Sequence, residues 1–131
     1  MSLQKMFVFI VGTMCFSHLY AMGYSDHYEV CMKKAQNQSA NIQKCQNKEL
    51  DKQSKRLDKI LKQTKKVSTS QEMQLLNDAQ GKWVLQVNQA CGLNNKAVKK
   101  LAFVNTGCLM QMTSSRADLL EVQLLNKKLA R

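Results

Sequence analysis

Residues 42–67, IQKCQNKELDKQSKRLDKILKQTKKV, decide the fold class. Apolar residues recur in this stretch mostly at steps of three, four or seven, which form one face of a helix with 3.6 residues per turn. These positions are Ile42, Cys45, Leu50, Leu57, Ile60, Leu61 and Val67. The stretch contains no proline or glycine, so nothing in it breaks a helix. It predicts one long helix from about Ile42 to Lys66, capped by Ser39 or Asn41.

Lysines repeat on another side of the same helix, again at steps of three and four. This basic stripe consists of Lys44, Lys48, Lys52, Lys55, Lys59 and Lys62. Glu49, Asp51 and Asp58 interrupt it. A solvated helix face is one interpretation, and a contact surface for anionic envelope polymers or lipid headgroups is the other. Nucleic acid is not expected as a partner, because aromatic side chains do not alternate with the lysines as stacking requires.

One further helix is predicted before this long helix and one after it. Ser25 can cap a short helix over about 26–36. Thr69-Ser70-Gln71-Glu72 fits a capping box and opens a helix that runs to about Cys91. Gly92 then suits a left-handed helix stop.

The last part of the chain predicts one further helix. Asn105 or Thr106 can cap it, and the tail over 126–131 is expected to fray. Its candidate inner positions are Leu109, Met112, Ala117, Leu119, Leu120 and Leu124. Residues 96–104 fit either a helix or an extended connection. With five glycines and no proline in 131 residues, a β-sandwich or barrel is excluded, and we expect an all-α bundle of three to four helices.

Residues 1–23 have the pattern of a secretory signal peptide. Lys5 supplies the basic start, an apolar run follows from Met6 to Phe16, and Ala21-Met22-Gly23 offers small residues for cleavage. Cleavage after Ala21 is an alternative. The mature chain is then a single domain over residues 24–131, either periplasmic or released, with no transmembrane segment expected after signal removal.

Four cysteines remain after signal removal, which indicates a disulfide framework in a small exported chain. Three pairings are possible. We predict Cys31–Cys45 and Cys91–Cys108, because each pair brackets an expected turn between helices. No two cysteines lie within four residues of each other, so a zinc site is not expected.

The chain offers no pattern typical of an enzyme. His27 is the one histidine of the mature chain, so a cysteine nucleophile would depend on it as base. Paired carboxylates, metal-ligand spacing and phosphate-binding loops do not stand out. We therefore predict a binding protein with no cofactor and no catalytic residues.

A further pattern combines the cysteines with a few polar and aromatic residues. It runs through Gln80, Trp83, Cys91, Cys108, Thr113, Arg116 and Leu120. In type and spacing it resembles the N-terminal domain of lysozyme-inhibitor LprI-like proteins, which are small exported bacterial proteins. The resemblance covers nearly the whole mature chain. It implies a helical four-cysteine fold and a protein target such as a muramidase.

The chain also departs from that pattern. The family pattern has an aspartate, an asparagine and a tyrosine where this chain has Ser54, Asp58 and Leu61. It has an arginine where this chain has Val87. We interpret Gln80, Trp83, Thr113, Arg116 and Leu120 as structural residues of the family motif. Charge opposes inhibition of a strongly basic lysozyme, because 20 basic against 9 acidic residues give this chain a net charge of +11. The stretch from Glu72 to Asp78 is the modest acidic candidate for such a contact.

Overall fold

The computed structural model describes residues 23–93 and 102–130, which form four helices without a strand. They are α1 (Asp26–Ala35), α2 (Ser39–Lys66), α3 (Ser70–Ala90) and α4 (Ala102–Leu129). Helices α2 and α4 form the main pair, α1 packs on α2, and α3 packs on α4. The predicted all-α class is confirmed. Residues 1–22 of the predicted signal peptide lie outside the described residues, as do residues 96–101 of the segment that fitted either a helix or an extended connection; residues 102–104 are helical.

The ends of α3 follow the sequence prediction closely. Thr69 accepts a hydrogen bond from the Glu72 N–H, and the Glu72 carboxylate accepts one from the Thr69 N–H, which completes the capping box. At the other end Gly92 has φ +67°. The Gly92 N–H bonds to the Gln89 carbonyl and the Leu93 N–H to the Asn88 carbonyl. These two hydrogen bonds together form a Schellman motif, which needs a residue in the left-handed conformation, here Gly92.

Three predicted helix ends were wrong. Helix α2 begins at Ser39, with Gln38 as the N-cap and no side-chain cap, rather than being capped by Ser39 or Asn41. Helix α4 begins at Ala102, so Asn105 is not its cap but lies inside it, buried. The tail that was expected to fray is helical to Leu129. At the start of α4 the helix continues through two residues with capping propensity, Asn105 and Thr106, and both are buried, so packing outweighs a local preference there.

The hydrophobic core lies between α2 and α4. Leu57, Ile60, Ala117, Leu120 and Leu124 form its buried cluster. The half-buried side chains of Leu61, Val67, Leu76 and Trp83 pack against it. Leu119, predicted to face inward, is instead 49% exposed, because its neighbour Leu120 takes the inner position on the helix.

Both predicted disulfides are present. Cys31–Cys45 joins α1 to α2, with a Cα–Cα distance of 5.7 Å. Cys91–Cys108 joins the end of α3 to α4, with a Cα–Cα distance of 5.6 Å. In the chain-entropy model, closing loops of 14 and 17 residues contributes roughly 3 kcal/mol each. The bridges thus fasten the two outer helices to the α2–α4 pair.

Candidate functional site

A buried carboxylate ties the start of α1 to the middle of α2. One Glu49 oxygen accepts hydrogen bonds from the Ser25 N–H (2.8 Å) and from Gln53 Nε2 (2.7 Å). The other accepts from Ser25 Oγ at 2.6 Å. Burial raises the pKa of Glu49, but these hydrogen bonds, with help from nearby Lys52, outweigh it and leave the pKa below its usual value.

An arginine continues this polar network towards α4. Arg56 donates to Gln53 at 3.2 Å and pairs with Asp118 at 2.7 Å and with Glu121. Asp118 also accepts a hydrogen bond from the Gly23 N–H. Burial lowers the pKa of Arg56, and the two carboxylates raise it by more, so the guanidinium is held charged. The network joins three parts of the chain and serves the fold.

Sequence reasoning overlooked Glu49, Gln53 and Arg56. The signal was present, because Glu49 and Gln53 continue the row of Cys45 and Leu57 at steps of four. That row lies on the buried face of α2. Glu49 therefore does not interrupt the basic stripe, as the sequence suggested, but lies inside the molecule at 3% exposure.

The residues of the family motif meet where α3 packs on α4. Arg116 Nε donates to Gln80 Oε1 at 3.2 Å, which links the two helices. Trp83 is half-buried against the core cluster, and Thr113 is buried. Val87, which replaces an arginine of the family pattern, is also buried. These side chains are engaged in helix packing.

The lysines of α2 form a continuous ridge on its outer side, and we call this set the lysine ridge. It consists of Lys44, Lys48, Lys52, Lys55, Lys59, Lys62 and Lys66, all exposed. At 100° per residue, these seven side chains fall within an arc of about 80° and extend over roughly 33 Å of helix. Asp51 and Asp58 lie at its edge, and Asp51 pairs with Lys55 at 2.7 Å.

Two shallow grooves run beside the lysine ridge. One, of about 300 Å³, lies between α1 and α2, where Lys34 faces Lys44 and Lys48. The other, of about 420 Å³, lies further along α2 and is lined by Lys55, Lys59, Lys62 and Lys66 together with Asp58 and Gln63. The ridge therefore offers an extended track of positive charge, open to solvent, rather than an enclosed pocket.

Most carboxylates, unlike the lysines of the ridge, are engaged by partners within the fold. Glu49, Asp51, Glu72, Asp118 and Glu121 all have hydrogen-bonding or ionic partners within the chain. A hydrogen bond from Lys127 and the capping box at Thr69 lower the pKa of Glu72 to about 2. Five of the nine carboxylates remain outside the ion pairs of the described residues: Glu49, which is held by hydrogen bonds, and Asp26, Glu29, Asp58 and Asp78. The acidic candidate stretch thus keeps Asp78 as its unpaired carboxylate.

The outer side of α4 is apolar and nearly free of charge, and we call it the uncharged face. It consists of the exposed residues Leu119, Val122, Leu125 and Leu129, with Ser115 and Asn126 between them. Asp118 lies within the same arc of the helix, but its carboxylate is paired with Arg56. A stripe of this kind covers about 21 Å of helix and is typical of a contact surface in a small protein.

Within residues 23–93 and 102–130, each helix is too short or too polar to span a lipid bilayer. No group of three or more histidine, cysteine, aspartate or glutamate side chains is placed to hold a metal ion in those residues.

Comparison with protein families gives a match. The family model described as lysozyme inhibitor LprI matches residues 31–120, which is more than half of the chain. The matched range contains both disulfides and the Gln80–Arg116 link. No curated protein and no solved structure was found to match.

Proposed function

We propose that this chain, which belongs to the lysozyme inhibitor LprI family, is an extracytoplasmic binding protein that recognises a muramidase and is not itself an enzyme. The family match over residues 31–120 carries the proposal. The two disulfides fit an extracytoplasmic location, since such bonds persist in oxidising compartments. Export by a signal peptide over residues 1–23, and a mature domain from residue 24, belong to the same proposal.

Charge decides which muramidase can be the target. Most carboxylates are engaged within the fold while the lysine ridge is open, so the surface that a partner meets is strongly basic. Two basic proteins repel each other at long range, and their encounter is slowed. We therefore propose a neutral or acidic muramidase as the target, rather than a strongly basic one of the animal type.

The uncharged face supports a contact that depends little on charge. An exposed apolar stripe gains free energy by leaving water, and salt weakens such a contact far less than it weakens an ion pair. Val122 lies near the middle of the face. The acidic stretch that the sequence suggested is a poorer candidate, because Glu72 is held by Thr69 and Lys127.

The test measures peptidoglycan hydrolysis by muramidases of different isoelectric points, with the exported, oxidised protein as inhibitor. We expect inhibition of a neutral enzyme that changes less than about threefold between low salt and physiological salt, and inhibition of an acidic enzyme that weakens more as salt rises, because charge steers that encounter. Val122→Lys should weaken it at least tenfold. Leu75→Lys, on the outer side of α3, is the matched control and should leave it unchanged. A strongly basic lysozyme should not be inhibited at low micromolar concentration.

Two results would count against this proposal. Inhibition of none of the enzymes would refute muramidase recognition itself. Equal inhibition by the wild type and the Val122→Lys protein would leave the target in place but remove the uncharged face as its contact surface.

A further inference from the structure

We propose that the lysine ridge is a binding track for a linear, phosphate-bearing polymer of the cell envelope. This inference goes beyond muramidase recognition and does not depend on it. It rests on the placement of seven exposed lysines on one 28-residue helix, at steps of three or four residues.

The spacing of the ridge suits a repeating anion. Six steps over 22 residues give one positive charge about every 5.5 Å along the helix axis. Of the seven lysines, Lys55 has an ion-pair partner within the described residues, and the other six have none there. A chain of phosphodiesters can therefore meet successive ammonium groups while it lies along the helix.

Lysine determines the kind of recognition that is possible here. The ammonium group is a compact point charge with rotatable donors, so it attracts phosphate without demanding a fixed geometry. In the groove between α1 and α2, Lys34 faces Lys44 and Lys48, which brings three cations from two helices together. This groove holds one phosphate group of the polymer. The other lysines of the ridge attract the neighbouring phosphate groups through their positive charge, without a fixed geometry.

A membrane surface is the competing partner, and the structure favours it less. A helix that lies in the headgroup region needs apolar side chains beside its lysines to enter the acyl boundary. None of the large exposed apolar residues in the described part of the chain lies on α2. They lie before and within α1 and on α3 and α4. The ridge is flanked by Asp51, Asp58 and Gln63, which favours a soluble polymer.

The experiment compares two triple variants that lose the same total charge. Lys48, Lys52 and Lys59 become glutamine in the ridge variant. Lys33, Lys65 and Lys82, which are exposed and lie off the ridge, become glutamine in the control variant. Binding to a poly(glycerol phosphate) chain is measured by titration at a series of salt concentrations. Far-UV circular dichroism checks that both variants keep the fold.

We expect the ridge variant to bind at least tenfold more weakly in low salt and the control variant less than threefold more weakly. The slope of log affinity against log salt should flatten by about 2 in the ridge variant, because each lost phosphate contact removes about 0.7. An equal loss in both variants would overturn the proposal, since net charge alone would then explain binding. Tighter binding to vesicles containing phosphatidylglycerol, at equal phosphate concentration, would overturn it in favour of a membrane surface.

Discussion

Replacing Glu49 with glutamine should destabilise the fold in a way that depends on pH. The carboxylate is 3% exposed and accepts three hydrogen bonds, two from Ser25 and one from Gln53. The glutamine oxygen can accept two of these bonds, but without the charge. Its amide nitrogen would face Ser25 Oγ, and that hydroxyl would have to turn to accept a bond.

The size of the effect follows from these bonds. A hydrogen bond to a charged group contributes about 1 kcal/mol more than a neutral one. Losing the charge on two or three bonds, partly offset by the smaller cost of burying a neutral amide, gives a net loss of about 1–2 kcal/mol at neutral pH. For a domain of this length, that corresponds to a fall in melting temperature of about 5–10 °C.

The pH dependence supplies a second readout. Because the pKa of Glu49 is lowered in the folded protein, its contribution to stability is fully present above the unfolded value of about 4.3. It is lost as the pH falls through the lower folded value. The difference in stability between the wild type and Glu49→Gln should therefore shrink in acid.

Urea unfolding followed by circular dichroism measures both readouts, with Glu29→Gln as the control. Glu29 is an exposed carboxylate of α1 that takes part in none of the ion pairs of the described residues. Equal stability of the wild type and Glu49→Gln at neutral pH would refute the reasoning. So would a difference that persists unchanged well below the unfolded pKa.

Two further predictions concern the ends and the bridges of the domain. Replacing Cys91 and Cys108 with serine should lower the free energy of unfolding by about 3 kcal/mol, measured in urea with the other disulfide intact; no change would show that the bridge is not closed in solution. Gly23 donates a hydrogen bond to Asp118 and accepts one from Gln53, so a mature chain that begins at Met22 should be about 1 kcal/mol more stable than one that begins at Tyr24. Comparing the melting temperatures of the two proteins tests this, and identical values would contradict it.

Periodic apolar patterns predicted most of this fold, because burial of one helix face is a property of many residues at once. The four-helix architecture, the capping box at Thr69 and the stop at Gly92 all follow from such patterns or from local chemistry. Helix ends were less predictable. Asn105 has a strong capping propensity, yet it lies buried inside α4, because the helix begins three residues earlier at Ala102.

The buried polar network between the helices was not predicted from the sequence. Glu49 and Asp118 belong to the same buried network, but they are 69 positions apart and only the packing of α2 on α4 brings them together. From sequence, both looked like ordinary surface charges. Glu49 lies on the buried row of Cys45 and Leu57, but its partner Ser25 precedes α1, and only the packing of α1 on α2 brings the two together.

Because many carboxylates are engaged within the fold, the net charge alone does not show where positive charge lies on the surface. The net charge of +11 counts every acidic residue equally, but five of the nine carboxylates have their partners within the chain. Of the cations in those ion pairs, only Lys55 belongs to the lysine ridge, so the ridge remains almost unneutralised. The positive field is therefore concentrated on the outer side of α2, while α4 presents an apolar outer side. A protein built in this way can use two separate surfaces, one for an anionic polymer and one for a protein partner. Salt should weaken contacts on the first much more than on the second.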